Sequence, residues 1–337
     1  MPRMVDLIGG SGGVRDGGDN FENKKKDRDY LSMSKKIISA MKNEDTEAKK
    51  DMAVLYERIV RAASQLLEKT REKGDMASCM REAYAVFDEL FNKLVTGESI
   101  LEEIYETREG YYLPYHIANM IVLASFLGIK MGLNKSRLGQ LGQAALFCDI
   151  GLDRYKDIIS KPDKLDQKEL ELIKKHVADS IEILDGIPHI SKTVKDAIIE
   201  HHERTDGSGY PDGLKMDEIS DYAKIIGLVD TYDALTNDRP YREGGNAHET
   251  IKLLLSSLKG SFDHDTMRSL LNALSLYPIG TLAELDTGEI ARVIGVEPGS
   301  PLKPIVMVVQ DYSGNPAKEK KIINLAVTDS ISIVNSK

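Results

Sequence analysis

Between residues 100 and 275, apolar residues recur at helical spacing in one stretch after another, and this pattern constrains the fold more than any other feature. Apolar positions separated by three and four residues form one face of a helix. The stretches are IANMIVLASFLGI (117–129), LGQLGQAALF (138–147), KELELIKKHVADSIEIL (168–184), VKDAIIEHH (194–202), DYAKIIGLVDTYDAL (221–235) and ETIKLLLSSL (249–258). The middle of the chain is therefore predicted to be all α.

The flanking segments differ in pattern, which predicts four regions. Residues 1–47 are rich in Gly, Ser and charge and read as a disordered or weakly ordered lead-in. Residues 48–104 form a helical module with two helices broken near Gly74, residues 105–275 the all-α domain, and 276–337 a small antiparallel β unit of short strands. The helix pair is either a packing unit or a dimerising or signal-receiving module with an exposed apolar stripe.

Composition excludes several classes of protein. The formal net charge of the 337 residues is −9, which argues against a nucleic-acid polymer as partner because such partners require clustered cations. No stretch approaches the ~20 apolar residues of a bilayer span, and the N-terminus lacks the order of a secretory signal, so a cytoplasmic protein without membrane insertion is expected. The two cysteines form no CxxC pair.

Histidines and aspartates accumulate on the predicted helices of the middle region. The set is His116, His176, His201, His202, Asp149 and Asp230. Imidazole and carboxylate ligands suit Fe, Mn, Zn or Ni, and a carboxylate between two histidine sets can bridge ions about 3.5–4 Å apart. Taken singly, each histidine is more often a solvated or hydrogen-bonded residue. His189, His248 and His264 lie outside the pattern.

Adjacent histidines on a helix point about 100° apart. His201 and His202 are therefore expected to serve neighbouring ions, or one ion and a substrate oxygen, rather than one ion together.

These motifs resemble the HD-GYP family, the HD-domain phosphodiesterases that hydrolyse cyclic di-GMP. The resemblance rests on His116, the CD pair at 148–149, His176, HHERTDGSGYP (201–211) and VDTYDALTNDRPYR (229–242), and it covers roughly 105–275. The β-rich tail that opens with YPIGT (277–281) is similar to the tail that often follows this domain. The resemblance implies a mainly α, HD-type helical domain that binds cyclic di-GMP.

The resemblance also implies roles for individual residues. The implied metal ligands are His116, Cys148, Asp149, His176, His201, His202 and Asp230, with Asp149 bridging and with Asp149 and His202 catalytic. The implied substrate-binding residues are Tyr210, whose ring can stack on a purine, with Asp233, Arg239 and Arg242. The expected cofactors are two transition-metal ions, Fe or Mn, or one or none if the site is degenerate.

Two positions depart from the family pattern. Cys148 stands where the family has the histidine of its HD pair, and Leu152 where it has a lysine. A thiolate is a good ligand, but its sulfur lies closer to its own backbone than the distal nitrogen of histidine does. Leucine cannot neutralise phosphate charge, a contact that is typically worth ~10²–10³ in rate. Tyr112, one turn before His116, stands where some members hold a third ion, and it is expected to be a packing residue.

Three functions remain open at this stage. The first is a metal-dependent phosphodiesterase that converts cyclic di-GMP to pGpG or GMP. The second is a degenerate member that binds cyclic di-GMP and passes the signal on as receptor or scaffold, which Cys148 and Leu152 favour. The third, a general HD nucleotidase or guanosine-tetraphosphate hydrolase, is disfavoured because such enzymes do not need HHExxDGxGYP. A homodimer or a signalling partner is expected through 48–104.

Overall fold

The computed structural model describes most of the chain from residue 45 onward. The described residues are 45–72, 74–96, 100–101, 103–105, 110–185, 187, 189–242, 244–245, 247–256, 258, 260–273, 281–295, 300, 303–317, 320–328 and 330–336. The predicted lead-in lies outside them except for residues 45–47, which are helical rather than irregular.

The described elements are helices up to residue 273 and strands after residue 281. The helices are α1 (Asp45–Glu72), α2 (Ala77–Val95), α3 (Leu113–Lys130), α4 (Lys135–Phe147), α5 (Lys156–Ile159), α6 (Gln167–Ile173), α7 (His176–Leu184), α8 (Lys192–Glu200), α9 (Asp221–Thr236), α10 (Ala247–Ser256) and α11 (His264–Ala273). Two 3₁₀ helices are η1 (Glu103–Tyr105) and η2 (Ile150–Tyr155). The mainly α prediction is confirmed.

Two predicted helices are shorter than their apolar patterns. The pattern over 168–184 is divided into α6 and α7 by a turn at Lys174 and Lys175, and α8 ends at Glu200, before the two histidines. Both interruptions lie next to a histidine whose ring bonds a carbonyl of the preceding helix. Periodicity did not reveal them because the apolar positions continue in phase.

Helices α1 and α2 pack into the core of the middle region. Leu55, Ile59 and Leu66 on α1 are each 1% exposed and belong to one continuous apolar cluster with α3 residues such as Ile117. Tyr56 on α1 donates a hydrogen bond to the side chain of Asn119 at 2.6 Å. Of the two readings of 48–94, these contacts favour the packing unit, because α1 and α2 bury their apolar faces against helices of the same chain. A dimerising or signal-receiving role of 48–104 stays a prediction.

Helix α3 is long and apolar enough to cross a membrane by length and composition. Its 18 residues have a mean hydropathy of 1.3, and 72% of that window is buried inside the fold. Neighbouring helices α1, α4 and α9 cover it. It forms the centre of the helical core and carries His116.

The C-terminal segment forms one antiparallel sheet, as the sequence predicts. Its strands are β1 (Leu282–Leu285), β2 (Ile290–Gly295), β3 (Ile305–Gln310), β4 (Ile322–Asn324) and β5 (Ile333–Ser336), in the order β4-β3-β2-β1-β5. Ala291 and Val293 on the central strand β2 are fully buried, whereas Arg292 between them is exposed. This alternation gives the sheet one buried face.

Candidate metal centre

Five chain segments bring the histidines and aspartates together. His116 lies on α3, Asp149 in the turn after α4, His176 at the start of α7 and Asp230 on α9. His201 and His202 follow the last residue of α8. Among the described residues, these six side chains form two groups whose ligand atoms lie within 4.8 Å of one another.

The first group contains Asp149, His176, His201 and His202. His201 and His202 both belong to this group, and His202 Nδ1 also lies 3.7 Å from Asp230 Oδ2. The expectation that the two histidines serve neighbouring ions, or one ion and a substrate oxygen, stays a prediction. His201, directly after α8, keeps helical backbone angles, and the ring centroids of the two histidines lie 4.0 Å apart. His202 Nε2 lies 3.2 Å from His176 Nε2. One ion can therefore be reached by all three rings.

The second group contains His116, Asp149 and Asp230, so Asp149 belongs to both. Its two oxygens face different histidines: Oδ1 lies 3.2 Å from His176 Nε2, and Oδ2 lies 3.0 Å from His116 Nε2. Asp230 Oδ1 is 3.6 Å from His116 Nε2. This is the geometry of a carboxylate between two ion positions.

Backbone carbonyls fix the orientation of two of the rings. Nδ1 of His176 lies 2.6 Å from the carbonyl oxygen of Ile173, and Nδ1 of His201 lies 2.7 Å from that of Ile198. A carbonyl only accepts, so each Nδ1 carries a proton and each ring is held with Nε2 toward the centre. His201 Nε2 is buried without a hydrogen-bond partner among the described residues. A buried ring nitrogen that has no hydrogen-bond partner and faces a carboxylate is suited to bind a metal ion.

Asp233 orients the third ring. Its Oδ2 lies 2.6 Å from His116 Nδ1, and its Oδ1 accepts hydrogen bonds from Asn119 at 2.7 Å and Asn237 at 2.8 Å. Asp233 is only 1% exposed. Its oxygens make hydrogen bonds within the protein, and it holds His116 with Nε2 toward Asp149. Substrate binding by Asp233 stays a prediction.

The charged groups of the site shift the pKa values of one another. Burial and the Arg239 guanidinium lower the pKa of His116, but the hydrogen bonds to Asp149 and Asp233 outweigh them and raise that pKa to about 9. Burial opposes ionisation of Asp149, yet its hydrogen bonds to histidines hold its pKa well below the usual range. Burial and the neighbouring imidazoles lower the pKa of His202 well below its ordinary value. Metal binding must therefore displace a proton from His116.

Two glycines allow the histidine-bearing turns to approach their neighbours. A Cβ built on Gly227 of α9 would lie 2.3 Å from the carbonyl oxygen of His201, and one on Gly151 would lie 2.3 Å from that of His176. Any larger residue would displace the backbone that carries a ligand.

Cys148 lies beside the two groups but belongs to neither. Its Sγ is 3.4 Å from the carbonyl oxygen of Ala145 and 3.5 Å from Asp149 Oδ2. Burial and the carboxylates of Asp149 and Asp230 raise the pKa of the thiol well above its ordinary value. Metal ligation by Cys148 stays a prediction, which the position of the thiol outside both groups and the raised pKa of the metal-free thiol do not favour. Leu152 is a buried residue of η2.

Tyr210 lies at the edge of the first group. Its ring stacks on that of His202 with centroids 4.6 Å apart and an interplanar angle of 25°. The Lys174 ammonium lies 5.5 Å from the Tyr210 centroid. Part of the ring is thus already covered by protein, and purine stacking on Tyr210 stays a prediction.

Glu203 anchors the loop that contains Tyr210, a role that the sequence analysis missed. Its carboxylate is 5% exposed and accepts hydrogen bonds from the backbone N–H groups of Asp212, Gly213 and Leu214 at 2.7–3.1 Å. The available signal was a carboxylate directly between the histidine pair and the glycine-rich loop. Asn119 was also missed, although it is a polar residue one turn after His116 on an apolar helix.

The two arginines predicted to bind substrate have different positions. The Arg239 side chain is 8% exposed, and its guanidinium lies 3.4 Å from Asp233 Oδ2 and 4.2 Å from the centroid of the Tyr112 ring. Arg242 instead donates to the carbonyl oxygens of Ala234 and Leu235 near the end of α9. Arg239 therefore borders the centre, whereas the described bonds of Arg242 hold the helix end.

Tyr112 packs between Arg239 and the centre. Burial raises the pKa of its phenol to about 12, so it stays neutral. Its ring centroid lies 6.5 Å from that of His116. Of the remaining histidines, His189 and His264 belong to neither group, and the side chain of His248 lies outside the described residues.

Comparison with known proteins identifies two domains. Residues 100–266 match the HD domain family, and residues 282–336 match the KOW domain associated with the HD domain. These bounds lie close to the predicted 105–275 and 276–337.

Several curated proteins are similar to this chain. Cyclic di-GMP phosphodiesterase PA4108 of Pseudomonas aeruginosa is 35% identical over 198 residues, which are 58% of this chain and 48% of that protein. Cyclic di-GMP phosphodiesterase PdeB of Borreliella burgdorferi is 31% identical over 58% of this chain and 52% of that protein. The 3'3'-cGAMP-specific phosphodiesterase 3 of Vibrio cholerae is 32% identical over 50% of this chain and 36% of that protein. The chain spans about half the length of these relatives or less.

A solved structure supports the fold. Bd1817 of Bdellovibrio bacteriovorus, described as an HDG"Y"P protein, superposes with a TM-score of 0.57 at 18% identity, over 74% of this chain and 79% of that one. The helical domain, its family match and its relatives agree with the motifs from His116 to Arg242. Residues 100–266 are therefore an HD domain that is similar in sequence to curated cyclic di-GMP phosphodiesterases.

Proposed function

We propose that this protein is a metal-dependent phosphodiesterase that hydrolyses cyclic di-GMP to pGpG or GMP. The observation that carries the proposal is the position of Asp149, whose two oxygens face His176 and His116 from one buried carboxylate. With the orphaned Nε2 of His201, this arrangement offers ligands for two ions that share Asp149.

The donor set favours particular ions. The two groups offer imidazole nitrogens and carboxylate oxygens, without a thiolate. Such ligands suit Fe and Mn, which we propose as the cofactors. The chemistry that such ions supply when bound is Lewis-acid assistance to the attack of water on phosphorus.

The chain's own residues orient and balance the site. Asp233 keeps the proton on His116 Nδ1, while the carbonyls of Ile173 and Ile198 do the same for His176 and His201. Each ring is therefore already oriented with Nε2 toward the centre. The Arg239 guanidinium, next to His116, is the cation placed to oppose phosphate charge.

The substrate is inferred from the relatives. Two of the similar proteins are named cyclic di-GMP phosphodiesterases, and a third is named for 3'3'-cGAMP. Both compounds are cyclic dinucleotides with two phosphodiester bonds, so each must be tested. We propose cyclic di-GMP as the substrate and the cytoplasm as the compartment.

A second function is favoured by two residues. The Cys148 thiol is buried outside both ligand groups, and Leu152 removes a cation that the family has. If these changes abolish cleavage, the protein is a receptor that binds cyclic di-GMP without turnover. The Asp149 geometry, which a mere receptor would not need, favours the enzyme.

Turnover of cyclic di-GMP by anaerobically purified protein tests the proposal. We expect pGpG or GMP to form with protein loaded with Mn²⁺ or Fe²⁺, and an Asp149→Asn variant to be at least ~100-fold slower. An exposed matched control, Asp157→Asn, should keep full turnover. A metal-loaded wild type that binds the nucleotide without product would establish the receptor instead.

The double variant Cys148→His with Leu152→Lys separates the two functions further. It restores a ligand and a phosphate-neutralising cation, so we expect at least about tenfold more turnover with a smaller change in nucleotide affinity. Unchanged turnover in metal-loaded double variant would show that neither residue limits the reaction.

A further inference from the structure

Asp149, the carboxylate shared by the two ligand groups, lies in the short break between α4 and η2. Its backbone angles, φ −108° and ψ 9°, are not helical, and η2 begins directly after it at Ile150. Helix ends leave backbone carbonyl and N–H groups without helical partners. Cys148 before Asp149 and Gly151 after it are both buried, so the backbone on either side of the break needs partners inside the protein.

One buried hydroxyl group bonds both sides of this break. Ser180 Oγ donates a hydrogen bond to the carbonyl oxygen of Cys148 at 2.9 Å. The same oxygen accepts a hydrogen bond from the N–H group of Gly151 at 2.9 Å. Ser180 is fully buried. Its hydroxyl group therefore holds the residue before Asp149 and the second residue after it.

The bonds of Ser180 differ from those of other hydroxyl groups on the helices of this chain. A serine or threonine within a helix commonly donates to the carbonyl oxygen four residues earlier in the same helix. The residues that do so here include Ser64, Thr70, Thr231, Thr236 and Ser256. Ser180 instead bonds residues 29 and 32 positions earlier. Its hydroxyl group thus joins two segments of the fold.

The helix of Ser180 also carries one of the histidines of the centre. His176 is the first residue of α7 and lies four residues before Ser180, so the two share one face of that helix. The start of η2 packs closely on this face, because a Cβ built on Gly151 would lie 2.3 Å from the carbonyl oxygen of His176 and 2.8 Å from the backbone nitrogen of Ser180. The distance of 3.2 Å between Asp149 Oδ1 and His176 Nε2 is therefore set across this contact.

We propose that Ser180 is a positioning residue of the metal centre: by bonding the backbone on both sides of Asp149, its hydroxyl group sets the distance between the shared carboxylate and His176. The proposal rests on the metal centre of the proposed function, but not on the substrate. Without the hydroxyl group, the buried Cys148 carbonyl and Gly151 N–H lose this partner, and the break can move relative to α7. Ligands must hold their positions within about 0.5 Å, so both ions that share Asp149 should then bind more weakly.

Calorimetric titration of the full chain with Mn²⁺, followed by electron paramagnetic resonance of the loaded protein, tests the proposal. We expect Ser180→Ala to weaken Mn²⁺ binding at least about tenfold. It should also reduce the spin coupling between the two Mn²⁺ ions, because that coupling depends on the carboxylate between them. Ser125→Ala is the matched control and should bind Mn²⁺ as the wild type does. Ser125 is a fully buried serine of α3 whose hydroxyl group has no hydrogen-bond partner within the described part of the chain.

A second control separates positioning from loss of stability. Asn134→Ala removes the side-chain bond to the N–H group of Arg137 at the other end of α4. It should lower the melting temperature without changing Mn²⁺ affinity or spin coupling. If Ser180→Ala does not fold, Ser180→Cys takes its place, because a thiol is a weaker donor and acceptor than a hydroxyl group. Ser180→Cys should show the same two losses in smaller measure.

The possible results distinguish this proposal from the proposed function. Wild-type Mn²⁺ affinity and spin coupling in Ser180→Ala would overturn the role of Ser180, and so would equal losses in Asn134→Ala. A wild type that binds no Mn²⁺ would overturn this role together with the metal centre. A wild type that binds Mn²⁺ without hydrolysing cyclic di-GMP would contradict the proposed activity alone, and a difference between Ser180→Ala and Ser125→Ala would then still support the role of Ser180.

Discussion

Replacing Gly227 by alanine tests whether close backbone packing holds the metal centre in place. A Cβ added at Gly227 would lie 2.3 Å from the carbonyl oxygen of His201, whereas ordinary van der Waals contact begins near 3.4 Å. The turn that carries His201 and His202 must therefore retreat from α9 by about 1 Å. No flexible side chain can absorb this displacement, because the contacted atom belongs to the backbone.

Two opposing contributions determine how Gly227→Ala changes the free energy of unfolding. Alanine in place of glycine inside a helix stabilises by about 1 kcal/mol. Overpacking costs typically ~1–3 kcal/mol and more against rigid backbone. We expect Gly227→Ala to be destabilising by roughly 1–3 kcal/mol in urea unfolding, and Mn²⁺ affinity to fall at least tenfold because ligand geometry must hold within ~0.5 Å.

Gly139 provides a control with the opposite expected sign. It lies within α4, and a Cβ built there has nothing within 4 Å. Gly139→Ala should therefore stabilise by about 0.5–1 kcal/mol and leave Mn²⁺ affinity unchanged. If Gly227→Ala were as stable as Gly139→Ala and bound Mn²⁺ equally well, the reasoning from the close contact would be refuted.

Three further predictions concern the site. Asp149→Ala should lower metal occupancy, measured by elemental analysis, more than the loss of any single histidine, because only a carboxylate can bridge two ions; equal losses would contradict bridging. Glu203→Gln should leave at least one of three loop N–H groups poorly bonded and cost about 1–3 kcal/mol in thermal unfolding; an unchanged melting temperature would deny the anchoring role. The pKa of His116 is raised from 6.5 to about 9 in the folded, metal-free protein, so protonated His116 stabilises that protein fully below pH 6.5. This stabilisation, at most about 3 kcal/mol, should be lost as the pH rises through 9. A free energy of unfolding in urea that increases over this range would contradict the assignment.

The helical core and the antiparallel sheet follow from residue periodicity. Apolar spacing identifies the helices because a buried helical face requires it, and alternation identifies strands such as β2. Periodicity could not show that α1 and α2 bury their stripe against α3, since an apolar face looks the same whether its partner is another chain or the same one. The sequence shows which face of α1 is apolar, but it does not show which helix packs against that face.

The composition of the site was accessible from the sequence, but its local geometry was not. The expectation that His201 and His202 diverge rests on helical rotation, yet both rings offer a ligand atom to one group. The resemblance implies substrate binding by Asp233, and only the fold places Asn119 and His116 against it. Such contacts join residues more than 100 positions apart, which spacing along the chain cannot reveal.

The two carbonyl contacts of His176 and His201 have a consequence for the thermodynamics of loading. Each ring bonds the carbonyl three residues earlier, at the end of a helix, where backbone oxygens lack helical partners. The contact that ends each helix therefore also orients the histidine ring. Both rings lose their rotamer entropy when the helices form, and not when an ion binds. Loading such a site involves little ordering of the chain, so its heat-capacity change is small, unlike that of a domain which folds around its metal.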